Sequence, residues 1–474
     1  MPGSSPSWWN TAWTPRSPGT DVAETASVCP VCLARIPARR VERGGEVRLE
    51  KYCPQHGFFS TPVWRGAPDL AGWTRPKTPS FPAAPATARD RGCPFDCGLC
   101  PDHAQHTCTV LVEVTSRCSL GCPVCFASAG GKGRVADDPS AESLDALLRA
   151  ARAAAGPANL QLSGGEPAER DDLPELVRRA KAAGFGFVQL NTNGLRLARE
   201  PGFARALQEA GLDSAFLQFD GVDDAAHLAL RGRALLAAKL AAVENLGRAG
   251  IGVVLVPTVV PGVNDDGLGD LLRLAVSLSP AVRGIHFQPL SYFGRFPAPP
   301  ADAGRITLPE VMAGLEAQGG GLVRAADFSP PGCEHALCSF HANYLVEEDG
   351  SLRLLTRQAC GCAPRPAAEG AAAAKAFVAR QWAAPAGAQL PMDRAADDLD
   401  RFLARASTHL LAVSGMAFQD CWTLDLERLA GCCIHVAAPQ GGGRLVPFCA
   451  YNLTSSLGRP LYRNQPWGRT GGAA

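Results

Sequence analysis

The sequence lacks an excess of charge of either sign. Its 474 residues include 46 lysines and arginines and 45 aspartates and glutamates, which are interspersed and give a formal net charge of +1. Nucleic-acid binding usually requires a concentrated basic surface that attracts phosphates. The charge balance therefore argues against nucleic acid as a partner.

Long hydrophobic runs are also missing. The longest apolar stretches, such as residues 251–260, are interrupted by proline and are far shorter than the roughly 20 residues that span a bilayer. The first residues show no charged segment followed by an apolar core, so no secretory signal is expected. We expect a cytoplasmic protein without an integral membrane segment, and contact with a membrane surface is compatible with this composition.

Cysteine is abundant but unevenly distributed. The 18 cysteines fall into four groups, and more than 200 residues without cysteine separate Cys125 from Cys333. Cysteines that only fill a core would be scattered more evenly, and the cytosol keeps thiols reduced. The clustering favours metal ligation over disulfide bonding.

The most informative group has the spacing C-x3-C-x2-C and consists of Cys118, Cys122 and Cys125. Three thiolates on one loop can hold three irons of a cubane iron–sulfur cluster and leave the fourth iron without a protein ligand. Zinc is the alternative, but a structural zinc site needs four protein ligands, and residues 128–165 contain no further Cys or His. The spacing thus favours a cluster with one open iron.

Apolar segments of strand length alternate with Ala- and Leu-rich helical segments between residues 109 and 291, which predicts repeated βα units around a parallel sheet. The predicted strands are 110–114, 159–162, 187–190, 215–219, 252–256 and 284–287, and the predicted helices are 141–155, 172–183, 203–210, 234–250 and 266–279. Polar or glycine-rich loops follow the strands. Each loop alone fits simple turn and capping chemistry, but in a βα barrel all of them share the rim that carries the active site.

At these residues the chain resembles the radical S-adenosylmethionine (SAM) superfamily. The resemblance rests on the cysteine motif after the first strand and on Gly164-Gly165-Glu166 after the next. It implies an α/β fold with a partial (β/α)6 barrel, and a 4Fe–4S cluster on Cys118, Cys122 and Cys125 whose open iron chelates SAM. Reductive cleavage would then yield a 5′-deoxyadenosyl radical.

Further cofactor contacts are expected on the same rim. Gly164 and Gly165 have no side chain to obstruct the SAM methionine group, and Glu166 can accept a hydrogen bond from its amine. Asn193, Gln218 and Asp220 end later strands and are candidates for contacts with ribose or substrate.

The flanking regions resemble a narrower group, namely the archaeal-type radical SAM enzymes that methylate 7,8-dihydro-6-hydroxymethylpterin and the related tetraether lipid synthases. The stretches that carry this resemblance are 53–57, 93–108, 425–428 and 447–452. Both kinds of enzyme form a carbon–carbon bond at an unactivated carbon, so the cysteine motif alone does not choose between them.

An N-terminal pair of knuckles has strong metal-ligand spacing. Cys29, Cys32, Cys53 and His56 form a Cys3His set that suits zinc or a rubredoxin-like iron. A closed tetrahedral shell leaves no position for substrate, so a structural role is expected.

Two more groups suggest auxiliary clusters. Four thiols directly before the first barrel strand suffice for a 4Fe–4S cluster, although zinc is an alternative. By resemblance, four later cysteines are expected to hold a second auxiliary cluster, and Cys433 is an alternative to its neighbour. The first set is Cys93, Cys97, Cys100 and Cys108, and the second is Cys333, Cys338, Cys432 and Cys449.

Several other residues of these regions have less defined roles. His103 and His106 lie between the cysteines of the first set and could be ligands, but they are expected to be solvated. Cys360 and Cys362 suit a redox pair or a variant ligand set, and Cys421 is expected to be a buried apolar thiol.

The predicted organisation has six parts. These are a disordered tail (1–24), a metal knuckle (25–70), an auxiliary-cluster segment (88–108), the partial barrel (109–295), a C-terminal extension with the second auxiliary cluster (296–466) and a final tail (467–474). Residues 363–386, rich in Ala, Pro and Gly, are predicted to be a surface linker.

The expected function is hydrogen abstraction followed by C–C bond formation, either methylation of a pterin-like substrate or coupling of lipid alkyl chains. A low-potential donor such as ferredoxin or flavodoxin would supply electrons. The alternatives are a peptide-modifying radical SAM maturase and a non-catalytic zinc-knuckle interaction protein. A lipid substrate predicts a wide aliphatic tunnel, and a pterin predicts a cavity with convergent polar groups.

Overall fold

The computed structural model describes residues 20–130, 138–356, 364–385, 398–439 and 442–463. Cys360 and Cys362, most of the predicted N-terminal tail and the predicted C-terminal tail lie outside the described residues.

The N-terminal region is a four-stranded antiparallel sheet in the order β1-β2-β3-β4. Its strands are β1 (Thr20–Val28), β2 (Arg35–Arg43), β3 (Glu46–Cys53) and β4 (Gly57–Arg65). Since β1 begins at Thr20, the predicted tail boundary at residue 24 falls inside a strand. The fully buried Lys51 of β3 ties the sheet to the C-terminal region, because its Nζ donates to Ser27 Oγ at 2.9 Å and to the Cys421 carbonyl at 2.8 Å.

Six parallel strands form the centre of the molecule, in the order β6-β7-β8-β9-β10-β12. After β5 (Lys77–Thr78), the elements are β6 (Thr109–Thr115), α1 (Ala141–Ala155), β7 (Asn159–Gly164), α2 (Leu173–Ala182), β8 (Val188–Thr192), α3 (Leu195–Arg199), α4 (Pro201–Glu209), β9 (Ser214–Gln218), α5 (Asp224–Arg231), α6 (Leu236–Arg248), β10 (Gly252–Val256), β11 (Thr258–Val259), α7 (Leu268–Ser277) and β12 (Val282–Pro289). The predicted partial barrel is confirmed, and each predicted strand and helix overlaps an observed one.

The periodicity of the sequence explains this agreement. Buried Leu and Val side chains line the inner faces of the helices, such as Leu144, Leu147 and Leu148 of α1, and pack against the strands. The short helices α3 and α5 were not predicted because each has fewer than nine residues and so little periodicity. The omission of α5 matters, since its last residue, Arg231, belongs to the site.

The C-terminal region extends the barrel sheet on both sides. Its elements are α8 (Leu308–Gln318), β13 (Ser339–Val346), β14 (Leu352–Leu354), β15 (Arg365–Pro366), α9 (Ala367–Trp382), α10 (Asp398–Thr408), β16 (Leu410–Met416), α11 (Leu426–Ala430), β17 (Ile434–Ala438), β18 (Arg444–Pro447) and α12 (Phe448–Asn452). Strand β17 lies parallel to β6, and β16 lies parallel to β12. Among the described helices, none is both long and apolar enough to cross a membrane.

Helix α9 corrects the linker prediction for residues 363–386. Its alanines favour helix, and it lies across the N-terminal ends of the barrel strands: Asn159 Nδ2 donates to the Lys375 carbonyl at 3.2 Å, and Arg283 Nε donates to the Gln381 carbonyl at 3.2 Å. Small side chains permit this close approach. The segment therefore closes one end of the barrel.

Candidate active site

A cavity of about 720 Å³ occupies the interior of the barrel, here called the lumen. It reaches the C-terminal strand ends, where it is lined by Gly165 and Asn193, and the opposite end, where it is lined by Cys108, Phe187 and Trp382. Alternate residues of the strands face it, as the two-residue repeat of a strand requires. Many of these are polar: Asn159, Gln161 and Ser163 of β7, Gln189 and Asn191 of β8, and Gln218 of β9.

The loop that carries the C-x3-C-x2-C motif, residues 118–125, lies at the C-terminal end of the lumen. The half-buried thiols of Cys118, Cys122 and Cys125 all line the lumen. Arg295 holds this cysteine loop, since its Nε donates to the Cys122 carbonyl at 2.7 Å and its backbone pairs with Cys125. The structure thus brings the three predicted ligands to one wall of one cavity.

Burial disfavours the ionised form of two thiols in this loop. Burial raises the pKa of the Cys118 thiol to about 11 and also raises that of Cys122, an effect that the guanidinium of Arg231 opposes. Thiols with raised pKa values become thiolates at neutral pH when a metal neutralises their charge. Their position suits a metal centre better than a nucleophile.

Gly164 and Gly165 line the lumen and also have a packing role that was not predicted. A Cβ on either glycine would overlap the backbone that leads from β6 into the cysteine loop, at Thr115 for Gly164 and at Arg117 for Gly165. The same backbone accepts two hydrogen bonds, from Gly165 N to Thr115 O at 2.8 Å and from Glu166 N to Arg117 O at 2.7 Å. The glycines therefore allow strand β7 and the cysteine loop to pack together.

This packing gives a test. Gly165→Ala should displace the cysteine loop and reduce both cluster loading and SAM cleavage, because the added methyl group meets fixed backbone rather than a flexible side chain. Overpacking of this kind costs about 1–3 kcal/mol. The matched control is Gly186→Ala, whose Cβ would meet nothing within 4 Å. Iron content and unfolding by urea would be measured, and equal values for the two variants would contradict this role.

Glu166 is buried at 3% exposure and lines the lumen. Its Oε1 accepts from Thr192 Oγ1 at 2.7 Å and Ala168 N at 3.1 Å, and its Oε2 accepts from Asn193 N at 2.6 Å. The carboxylate joins the loops after β7 and β8, and Oε2 retains acceptor capacity for a ligand.

Two neighbouring amide atoms have no partner among the described residues. They are Asn193 Nδ2, a donor, and Asn191 Oδ1, an acceptor, and both residues line the lumen. Buried polar atoms without partners are costly in a native protein. They are therefore suited to hydrogen bonding with a polar ligand beside the cysteine loop.

Asp220 does not line the lumen, which corrects its predicted contact with the cofactor or substrate. Its fully buried carboxylate accepts from Arg231 Nε at 2.7 Å, Arg231 Nη2 at 2.9 Å and Thr258 N at 3.1 Å. Burial raises its pKa, but Arg231 outweighs this effect and holds the pKa below its usual value. Asp220 fixes Arg231, which reaches the lumen itself.

Gln218 does line the lumen, and the buried Lys239 orients it. Lys239 Nζ donates to Gln218 Oε1 at 2.7 Å and to the Asn193 carbonyl at 2.5 Å. Burial lowers the pKa of this lysine to about 7. Lys239, Arg231 and Arg295 could not be predicted as site residues from the sequence. Charged residues in helices and loops are common, and only the fold shows which of them lie at the site.

The N-terminal knuckles also come together. Cys29, Cys32, Cys53 and His56 lie with their ligand atoms within 4.8 Å of one another. The Cys32 and Cys53 Sγ atoms are 4.0 Å apart, and His56 Nδ1 is 3.4 Å from Cys53 Sγ. These are the four residues of the predicted Cys3His set.

The auxiliary cysteines are grouped differently from the prediction. Cys108 lies with Cys333 and Cys433, and the three ligand atoms are within 4.8 Å of one another. Cys338, Cys432 and Cys449 form another group. Burial raises the pKa values of Cys432 and Cys449, and the nearby thiol of Cys338 raises both further. Cys108 and Cys333 are therefore separated from the other three members of their predicted sets, while Cys338, Cys432 and Cys449 remain together as predicted.

The remaining thiols of the first predicted set, Cys93, Cys97 and Cys100, line a second, very small cavity together with His103. His103 is only 4% exposed, contrary to the predicted solvated histidine, and its Nε2 has no partner among the described residues. His106 is exposed, and its Nε2 lies 2.7 Å from Ser80 Oγ.

Comparison with known proteins gives two family matches. The Radical SAM superfamily matches residues 112–275, and the HMPTM N-terminal zinc ribbon domain matches residues 22–65. The chain is 34% identical over 474 residues to the 7,8-dihydro-6-hydroxymethylpterin dimethyltransferase of Methanocaldococcus jannaschii, covering 90% of this chain and 93% of that protein.

Other similarities cover less of the chain. The PqqA peptide cyclase of Streptomyces rochei is 35% identical over 169 residues, 36% of this chain and 45% of that protein. Among solved structures, Streptococcus suis SuiB bound to S-adenosylmethionine superposes with a TM-score of 0.38 at 13% identity, covering 45% of this chain and 47% of that one.

Proposed function

The chain belongs to the radical SAM family of the 7,8-dihydro-6-hydroxymethylpterin dimethyltransferase, and from this premise we propose that it is a C-methyltransferase whose substrate is a pterin. Radical SAM enzymes use a 4Fe–4S cluster and SAM.

The residues around the cysteine loop fit the cluster and SAM. Three thiols face one cavity, which suits a cluster with one open iron. The unpartnered atoms of Asn191 and Asn193 and the spare acceptor capacity of Glu166 lie where a polar cofactor would need partners. When bound, these groups supply a radical that abstracts hydrogen from carbon.

The chain's own residues would position these groups. Cys118, Cys122 and Cys125 ligate the cluster, and Arg231, fixed by Asp220, places a positive charge beside Cys122. Gln218, fixed by Lys239, presents its amide to the lumen. Helix α9 lies across the far end of the lumen.

The observation that carries the choice of substrate is a group of polar side chains in a lumen whose lining is otherwise mostly apolar. Gln161 Nε2 donates to Gln189 Oε1 at 2.6 Å, and Gln189 Nε2 donates to Ser214 Oγ at 3.1 Å. Near them lie His286, whose pKa burial lowers to about 4, and Trp382, whose Nε1 has no partner among the described residues. Convergent amides, a neutral imidazole and aromatic faces suit a flat heterocycle with hydrogen-bonding edges.

Unpartnered polar atoms of the lumen favour a polar substrate over lipid alkyl chains. An alkyl chain would leave the indole N–H of Trp382 without a partner, and such a group costs about 1–3 kcal/mol. A peptide-modifying role has less support, because the similarity to the peptide cyclase covers only 36% of this chain.

Deuterium transfer tests the substrate. The anaerobically reconstituted protein would be given dithionite, SAM and 7,8-dihydro-6-hydroxymethylpterin carrying deuterium on its saturated carbons. We expect deuterium in the 5′-deoxyadenosine, measured by mass spectrometry, and none from a deuterated alkyl lipid. Label arriving only from the lipid, or 5′-deoxyadenosine without label, would contradict a pterin substrate.

A reduced ferredoxin or flavodoxin is proposed to supply electrons to the open cluster.

The N-terminal Cys3His set is proposed to hold zinc in a structural role. Cys32→Ala should remove one zinc per chain and lower the melting temperature, because structural zinc binding contributes directly to folding. Gln55→Ala is the control, since Gln55 is an exposed residue of the turn between the ligands Cys53 and His56. Metal analysis showing full zinc in Cys32→Ala would contradict the assignment.

A further inference from the structure

A group of basic side chains lines the lumen where helix α9 begins, at the end opposite the cysteine loop. Its members are Arg75, Lys77 and Arg365. The short strands β5 and β15 bring them together, because Arg365 is the register partner of Lys77. Helix α9 begins at this end, since the Ala371 carbonyl lies 3.6 Å from the Sγ of Cys108, which precedes β6. The three basic residues, called here the basic mouth, come from two distant segments of the chain.

Neither arginine of the basic mouth has an anionic partner. Among the residues that the structure describes, the guanidinium groups of Arg75 and Arg365 form no ion pair and no hydrogen bond. Arg75 is half-buried and Arg365 is exposed. Burial lowers the pKa of Arg75, and the nearby charge of Arg365 lowers it further. Two neighbouring positive charges without a counterion repel each other, so an anion between them would be stabilised by both.

The other charged side chains at this end do not neutralise the two arginines. Lys77 and Lys375 donate to backbone carbonyls, and the carboxylate of Glu334 accepts from a serine hydroxyl. Among the described residues, the charged side chains that line this end are Arg75, Lys77, Arg365, Lys375, Glu334 and Glu369. Four cations stand against two carboxylates, so this end of the lumen has an excess of positive charge.

The lumen opens to solvent at the basic mouth and leads inwards to the amides proposed to bind the substrate ring. Arg365 and Glu369 line the lumen and are exposed. Gln161, one of those amides, follows Asn159, the first residue of β7, by two positions, so about 7 Å of strand separates them. A ring at Gln161 would need a substituent of about this length to reach the end of the strand. A bare hydroxymethyl group is shorter.

We propose that the basic mouth binds the phosphate of a phosphate ester, so that the substrate points its reacting part towards the cysteine loop and its phosphate towards Arg75 and Arg365. Planar guanidinium groups bind phosphate oxygens through paired hydrogen bonds. A phosphate monoester carries about 1.5–2 negative charges at neutral pH, which suits the excess of positive charge. The inference rests on the proposed function, because it takes the lumen as the substrate cavity. A phosphorylated pterin and a phospholipid both offer this group, and binding measurements separate them.

Equilibrium dialysis of the anaerobically reconstituted protein with SAM, without reductant, tests the phosphate site. The probes are 7,8-dihydro-6-hydroxymethylpterin, its diphosphate ester and a short-chain phosphatidate. The diphosphate ester should bind about 10–100-fold more tightly than the bare pterin, because it adds charge-assisted hydrogen bonds. Arg75→Gln and Arg365→Gln should each reduce this preference and leave the affinity for the bare pterin unchanged. The control is Arg233→Gln, which changes an exposed arginine that does not line the lumen and should keep the preference.

The outcomes distinguish the phosphate site from the proposed function. Equal affinity for the two pterins, or an undiminished preference in both arginine variants, overturns the phosphate site, while deuterium transfer from the bare pterin would still support the methyltransferase. Binding of the phosphatidate that depends on the two arginines, with no binding of either pterin, supports the phosphate site and contradicts a pterin substrate. Arg365 is exposed, so Arg365→Gln should fold as the unmodified protein does and decides the matter if Arg75→Gln is unstable.

Discussion

Cys122→Ala is expected to abolish reductive cleavage of SAM. The loop offers three thiols for a cluster whose fourth iron must remain open, and with two thiols left a second iron would lack a protein ligand. Cys122 also lies beside Arg231, which opposes the rise in its pKa. The variant should therefore load less iron and form no 5′-deoxyadenosine above background when given dithionite.

Cys421→Ala is the matched control for this experiment. Its thiol is buried but lies on neither the lumen nor the cysteine loop. It should retain the iron content and the 5′-deoxyadenosine yield of the unmodified protein. If Cys122→Ala cleaved SAM at the rate of this control, Cys122 would not be a cluster ligand.

Among the substitutions considered, Asp220→Asn should cause the largest loss in the free energy of unfolding. Asp220 is the fully buried acceptor for Arg231, which is itself about 10% exposed, and its charge also supports the buried Lys239. Removing one partner of a buried pair leaves the other charge uncompensated and costs about 3–5 kcal/mol. Urea unfolding under anaerobic conditions would measure the difference in the free energy of unfolding.

The control is Asp270→Asn, whose ion pair with Arg273 is solvent-exposed. An exposed pair contributes about 0–1 kcal/mol, so this variant should unfold almost as the unmodified protein does. Equal destabilisation by the two substitutions would show that Asp220 does not compensate buried charge.

The same pair predicts a pH dependence. The pKa of Asp220 is lower in the folded protein than in the unfolded chain, where it is about 3.9. Its contribution to stability is therefore present above that value and is lost as the pH falls towards the folded pKa. Asp220→Asn should lack this part of the acid sensitivity in urea unfolding curves recorded below about pH 4.

The barrel could be predicted from sequence because its signals are local. Alternating strands and amphipathic helices need only short windows, and the cysteine loop carries three ligands within eight residues. The position of Gly164 and Gly165 at the end of β7 was predictable for the same reason. Their contacts with Thr115 and Arg117 were not, because these depend on the path of the backbone that follows the neighbouring strand β6.

The cysteine groups show where local signals fail. Cys108 is close in sequence to Cys93, Cys97 and Cys100, but it directly precedes β6, and β6 is paired with β17. That pairing brings Cys433 rather than Cys100 to its side. The adjacent residues Cys432 and Cys433 lie in different groups. Their assignment depends on the register in which β17 pairs with β6, and the sequence does not show that register.

Formation of 5′-deoxyadenosine tests the central claim most directly. The protein would be reconstituted anaerobically with iron and sulfide, reduced with dithionite and given SAM, and the product would be quantified by chromatography. We predict 5′-deoxyadenosine in an amount that depends on the reductant and on loaded iron. A fully loaded, reduced protein that returns SAM unchanged would contradict the claim that the cysteine loop holds an open cluster.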